Sequence, residues 1–200
     1  MASDRSLLDI ILRANELKNI PRMGWRVRGV RDGESVAEHS YAVALIVTLL
    51  GPRLSERIDV SRAVRIALVH DLSEHMLGDI HAPASRLLGE DVKEAAELRI
   101  MLDLFGDDES AEEAVTLWKE FAERSSAEGR FVRAIDKLEM FTQAYLYEQE
   151  GNRMLADFWD WPHNVRDFEF PEVRAIYEEL KALRRERPIG WAGRSRNDEA

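Results

Sequence analysis

The sequence predicts an all-α fold, a single bundle of about seven or eight helices. Three observations carry this expectation. Apolar residues recur every three or four positions in one segment after another. No segment sustains the period-two alternation of a strand. No internal repeat or long linker divides the 200 residues, a length that closes one full core.

Taken in order, Leu7, Leu8, Ile11, Ala14 and Leu17 mark a first amphipathic helix. A connection rich in Gly, Pro and Arg follows over 20–34. Ser35 and Glu38 form a capping box that starts a helix through Leu50, closed by Gly51-Pro52. The next helix runs from Val60 to Leu72. Gly78, Pro83 and Gly89 break 73–90 into short helical turns and loop. Residues 91–105 form a helix ended by Gly106. Ser110, with Glu113 at N3, caps the following helix to Arg124. Ser125, with Glu128 at N3, caps the longest, which reaches Glu150 and stops at Gly151-Asn152. Pro171 stands at N1 of the last helix, which ends before Pro188. Residues 1–188 then form one domain and 189–200 a loose tail. The FWDWP cluster, with Phe158, Trp159 and Trp161, reads as packing under the last helix or at a subunit contact, and His163 as a loop residue.

Composition narrows the function classes. With 38 acidic and 28 basic residues the net charge is −10, which disfavours a nucleic-acid polymer as partner. No apolar run reaches the roughly 20 residues of a membrane span. The N-terminal segment carries early charge and reads as a helix, not a signal peptide. The absence of cysteine removes disulfides, thiolate metal sites and a cysteine nucleophile, and fits the cytoplasm. Against the acidic background, residues 21–32 gather Arg22, Arg26, Arg28 and Arg31 beside one acid, Asp32. The cluster is either a pocket for a small anion or a solvated loop balancing acidic neighbours.

Helical phase singles out polar residues that face inward. In the second helix Val43, Ile46 and Leu50 mark the inner face, and a step of four back from Val43 lands on His39. In the third, Val60, Val64, Ala67 and Leu68 lead to Asp71, with His70 beside it. In the longest, Val132, Ile135, Met140 and Tyr147 flank a stripe holding Asp136. Buried acids and histidines are costly unless paired, hydrogen-bonded or metal-bound. Two imidazoles and two carboxylates suit manganese, iron, cobalt, nickel or zinc. Adjacent helical residues diverge by roughly 100°, so His70 and Asp71 can share one ion only beside a helix end, and the periodicity does break after Leu72.

His39, His70-Asp71 and Asp136 stand in the order H…HD…D, which resembles the HD-domain metal-dependent phosphohydrolases. The stretches LKNIPRMGWRVRGV, ESVAEHSYAVA, ALVHDLSEHMLGDI, SSAEGRFVRAIDKLEM and QAYLYE are similar to its 5′-deoxynucleotidase branch, across residues 10–180. The resemblance implies that His39, His70, Asp71 and Asp136 ligate one divalent metal ion. It implies Glu74 as the acid/base residue, and Asp79 as a nucleotide-site residue that contacts sugar or assists proton transfer. It implies Arg22 on the phosphate side and Trp25 against the deoxyribose. The reaction it implies is hydrolysis of deoxynucleoside 5′-monophosphates, by a homodimer. In some members of the branch an arginine directly precedes the tryptophan. Here Met23-Gly24 intervenes, which leaves the choice among Arg22, Arg26 and Arg28 open. His75 and His81 are expected not to be ligands, and Glu94 and Glu97 to lie on a salt-bridged surface with Lys93 and Arg99. The alternatives are an HD phosphohydrolase for a cyclic or polyphosphorylated nucleotide, a helical module with a structural metal, or a dinuclear HD-type oxygenase that would need His75 or His81.

Overall fold

The computed structural model describes residues 7–105, 109–160, 165–187 and 189. Among them the only pairing of extended backbone is a single bridge between Pro21 and Ser35. The helices are α1 (Leu7–Asn15), α2 (Met23–Arg26), α3 (Val36–Leu50), α4 (Val60–Val69), α5 (Glu74–Leu77), α6 (Ala82–Leu88), α7 (Glu90–Phe105), α8 (Glu109–Glu123), α9 (Ala127–Gln149), α10 (Ala156–Trp159) and α11 (Pro171–Glu186). Seven of these have nine or more residues, in line with the expected bundle. The expected tail, Trp161 and His163 lie outside the described residues, apart from Ile189.

Helix α9 is the central rod. Along it Phe131, Val132, Ala134, Ile135, Leu138, Phe141 and Ala144 are buried, and α3, α4, α8 and α11 pack around it. Helix α4 meets α3, α8 and α9 through Ala63, Ile66 and Ala67. Leu68, expected inside, is 54% exposed. The small side chains of Ala63 and Ala67 let the neighbouring helices approach closely, and that face, not the one with the larger leucine, turns inward. Phe158 and Trp159 both pack on Phe141, and Arg184 of α11 lies over the Trp159 ring, so this pair does pack beside the last helix.

Several boundaries differ from expectation. The 20–34 connection contains α2, whose first turn hangs from the Arg22 carbonyl. Helix α4 stops at Val69, and His70–Ser73 turn before α5 begins. Ser110 lies inside α8, which starts at Glu109. Ser126, not Ser125, caps α9, its hydroxyl accepting from the Gly129 N–H. The Ser35–Glu38 capping box forms as the sequence suggests.

Candidate metal centre

Three long helices deliver polar side chains to one buried point. His39 sits one turn into α3, held there by the capped start of that helix. Its Nδ1–H donates to Glu139 Oε2 at 2.6 Å, so Nε2 points the other way, 3.2 Å from Asp136 Oδ1 and 3.7 Å from Asp71 Oδ2. His70 follows the last residue of α4. Its Nδ1–H donates to the Ala67 carbonyl at 2.7 Å, and its Nε2 lies 3.2 Å from Asp71 Oδ2. The end of α4 at Val69 is what allows adjacent residues to face one point. Ligand atoms of His39, His70 and Asp136 all lie within 4.8 Å of one another.

Both Nε2 atoms are buried, and neither makes a hydrogen bond. An orphaned imidazole nitrogen facing carboxylates, its other nitrogen tied to a fixed acceptor, is how protein ligands present themselves to a divalent ion. The donor set therefore fits such a cation.

The electrostatics sort the acids. Burial opposes ionisation of Asp71, but His70 and Arg22 outweigh it and hold this carboxyl well below the usual range. Burial likewise opposes ionisation of Asp136, and Lys137 and His39 reverse the effect. Burial and Arg22 disfavour a charge on His39, but Glu139 and Asp136 prevail and lift its pKa to about 10. Glu74 goes the other way. Burial, with Asp71 and Asp79 close by, raises it well above an ordinary carboxyl. Its Oε2 is buried without a partner.

A cavity of about 260 Å³ opens beside the centre, lined among others by Arg22, Trp25, Asp71, Glu74, Asp79 and Asp136. Arg22 Nη1 donates to Asp71 Oδ2 at 3.1 Å and lies 3.7 Å from Asp79 Oδ1. Asp79 follows Gly78, whose φ of +75° favours glycine, and accepts the Met23 N–H at the start of α2. Trp25 is buried against Tyr147 and Phe158, and its Nε1–H donates to Glu34 Oε1 at 2.7 Å. Of the other arginines in this segment, Arg26 bonds to the Arg31 carbonyl, while Arg28 donates to the Gly24 carbonyl at 3.1 Å and borders the cavity.

All eight candidate residues thus converge. His75 donates to the Leu72 carbonyl and stands outside the cluster, and His81 lies at the start of α6, on the cavity wall. Glu97 departs from expectation. It is buried and pairs with Lys93 at 2.7 Å, so that face of α7 is not surface. Sequence reasoning missed Glu139 and Glu34. Glu139 follows Asp136 by three and Ile135 by four, so the phase of α9 could have found it. Glu34 lies in a loop and carries no such signal.

Fold and centre together define an all-helical protein built around a His/Asp metal-binding cluster. Residues 14–165 match the family described as HD domain, and the chain belongs to that family. It is 36% identical to 5′-deoxynucleotidase HDDC2 of Homo sapiens over 184 residues, 90% of this chain and 87% of that protein. It is 32% identical to 5′-deoxynucleotidase hdd1 of Schizosaccharomyces pombe, over 78% of this chain and 81% of that one. A conserved hypothetical protein from Pyrococcus furiosus has the same fold, with a TM-score of 0.74 and 38% identity over 89% of this chain and 99% of the other.

Proposed function

We propose that the protein is a divalent-metal-dependent 5′-deoxynucleotidase, which cleaves deoxynucleoside 5′-monophosphates to deoxynucleoside and phosphate. The observation that carries this reading is the pair of orphaned Nε2 atoms on His39 and His70. They face Asp71 and Asp136, which line the same cavity as Arg22 and Glu74. The relatives named 5′-deoxynucleotidase, at 36% and 32% identity, support the choice of substrate.

His39, His70, Asp71 and Asp136 hold the ion, of the manganese, cobalt, iron, nickel or zinc class. Bound there, it supplies a Lewis acid that lowers the pKa of water and polarises a phosphoryl oxygen. Arg22 receives the phosphoryl oxygens with its planar fork. Asp79, through Arg22 and the Met23 N–H, fixes where that fork stands. Burial, with Asp71 and Asp79 close by, raises the Glu74 carboxyl well above its ordinary pKa, which favours its protonated form and suits it to donate a proton to the leaving O5′. The indole N–H of Trp25 is taken up by Glu34, so the ring offers the sugar a wall without a donor. A wall of that kind discriminates against an added 2′-hydroxyl by at most about 10²-fold. A homodimeric assembly, which the family resemblance implies, and a cytoplasmic location, which fits a sequence without cysteine, complete the proposal.

The test is phosphate release by metal-stripped protein given dAMP or AMP, with manganese, cobalt or magnesium restored in turn. Release from dAMP that depends on the ion and exceeds release from AMP is expected. Absence of release from both, with the ion shown to be bound, overturns the reading.

A further inference from the structure

Four cationic side chains reach the cavity beside the metal-binding cluster, apart from Arg28 at its edge, and three of them are matched by acids. Arg22 pairs with Asp71, Lys93 with Glu97 at 2.7 Å, and Lys137 with Asp136 at 3.1 Å. The fourth is Arg133, on α9, one turn before Asp136. Among the described residues, it has no carboxylate within 4.0 Å. Its Nη1 makes one long contact, 3.5 Å to the Phe121 carbonyl, and its guanidinium lies over the Phe121 ring at 4.9 Å. Its Nε is buried with no hydrogen-bond partner. A guanidinium with a buried, unmatched N–H is expensive for the fold unless something answers it. Burial and the nearby Arg124 work against its charge, and the more distant Asp167 and Asp136 only partly offset them.

Position says what could answer it. The Phe121 ring lies 4.9 Å from the Arg133 guanidinium and 4.9 Å from the His70 ring, so one aromatic side chain contacts both the guanidinium and a member of the metal-binding cluster. Arg133 also borders a second cavity of about 150 Å³, lined by His70, Asp71, Lys93 and Arg124 among others. It therefore stands in the wall between the two cavities, both of which reach Asp71. The anion that belongs between a divalent cation and two guanidinium groups is a phosphoryl group.

We propose that Arg133 is a second phosphate-binding residue of this site, which grips the phosphoryl group, in the substrate and as free phosphate, together with Arg22. The proposal rests on the phosphomonoesterase reading, and direct phosphate binding separates the two. The zinc-loaded protein is titrated with inorganic phosphate, without any nucleotide, and compared with Arg133→Met. A charge-assisted hydrogen bond of this kind predicts a loss of about tenfold or more in phosphate affinity. Zinc content should stay at the wild-type value, and the melting temperature without phosphate should not fall, since the buried unmatched N–H is gone. Affinity within twofold of wild type overturns the proposal, even if the enzyme proves to be a nucleotidase. Conversely, a wild type that ignores dAMP yet binds phosphate through Arg133 overturns the nucleotidase reading alone. Should Arg133→Met fail to fold, the wild-type protein decides the matter. Saturating phosphate should shift the Arg133 Nε–Hε NMR resonance downfield as that N–H gains its acceptor, and an unmoved resonance refutes the role. Weaker KM for dAMP in Arg133→Met identifies the substrate phosphoryl as a ligand, and weaker product inhibition with unchanged KM identifies free phosphate.

Discussion

Two neighbouring acids in the 65–83 segment have opposite chemistry because their surroundings differ. His70 and Arg22 hold the Asp71 carboxyl below its usual range, whereas burial, Asp71 and Asp79 push that of Glu74, three residues on, well above it. The pair can therefore divide ion binding from proton transfer. Asp71→Ala should lose both the ion and turnover. Glu74→Ala should keep the ion and lose turnover by roughly 10²–10⁴-fold, the range for a general acid. Metal content and phosphate release, measured on the same preparations, check this, and a metal-free Glu74→Ala protein would make Glu74 a ligand. Glu34 offers a second test. Burial and the nearby Glu139 raise its pKa to about 7. A folded-state pKa above the unfolded one favours folding below the unfolded value, and that contribution is lost as pH rises through the folded value. Glu34→Gln cannot ionise, so its stability relative to wild type should improve from pH 5 to pH 8 in metal-free protein. Urea unfolding at both pH values measures it, and a pH-independent difference counts against the assignment. His39, Asp71 and Asp136 were legible in the sequence because helical phase and the H…HD…D order both mark them. Glu34 was not, because a loop has no phase to read.

At the scale of the helices, the α8–α9 corner is set by one glycine. A Cβ on Gly129 would collide with the Glu120 carbonyl oxygen, a backbone atom that cannot swing aside. Gly129→Ala should therefore push α8 from α9 and cost about 1–3 kcal/mol, as overpacked sites do. Chemical denaturation measures the loss, and a stability within experimental error of wild type would show that the corner yields freely. The same contact explains why the cap is Ser126. With Ser126 as N-cap, Gly129 is N3, its N–H bonded to the Ser126 hydroxyl and its bare Cα turned to α8. The motif SSAEG offers two serines, and the capping-box rule favours Ser125, with Glu128 at N3. The approach of another helix selects Ser126 instead. Leu68 teaches the same lesson on α4. Hydropathy weights leucine above alanine, whereas close packing against three helices rewards Ala63 and Ala67. Boundaries and facing were thus legible where one helix decides them, as at the Ser35 capping box, and illegible where a neighbour does.

For the whole molecule the consequence is that the metal-binding cluster doubles as a structural bolt. His39, His70 and Asp136 come from α3, the end of α4 and α9, which pack on one another in the middle of the bundle. The unfolded chain cannot bring these residues together, so an ion that binds them stabilises the native state by about 2.7 kcal/mol at a hundred times its dissociation constant. For a domain of 150–250 residues each kcal/mol moves the melting temperature by roughly 2–4 °C. Metal-stripped protein should then melt about 5–10 °C below protein with manganese or zinc restored. The difference should vanish in Asp71→Ala, and Glu139→Ala should need roughly 10–100-fold more metal to recover it, since Glu139 orients His39. Calorimetry across a metal titration reads all three proteins. A wild-type transition that ignores the ion would mean that the converging side chains bind nothing, and the catalytic reading would fall with them.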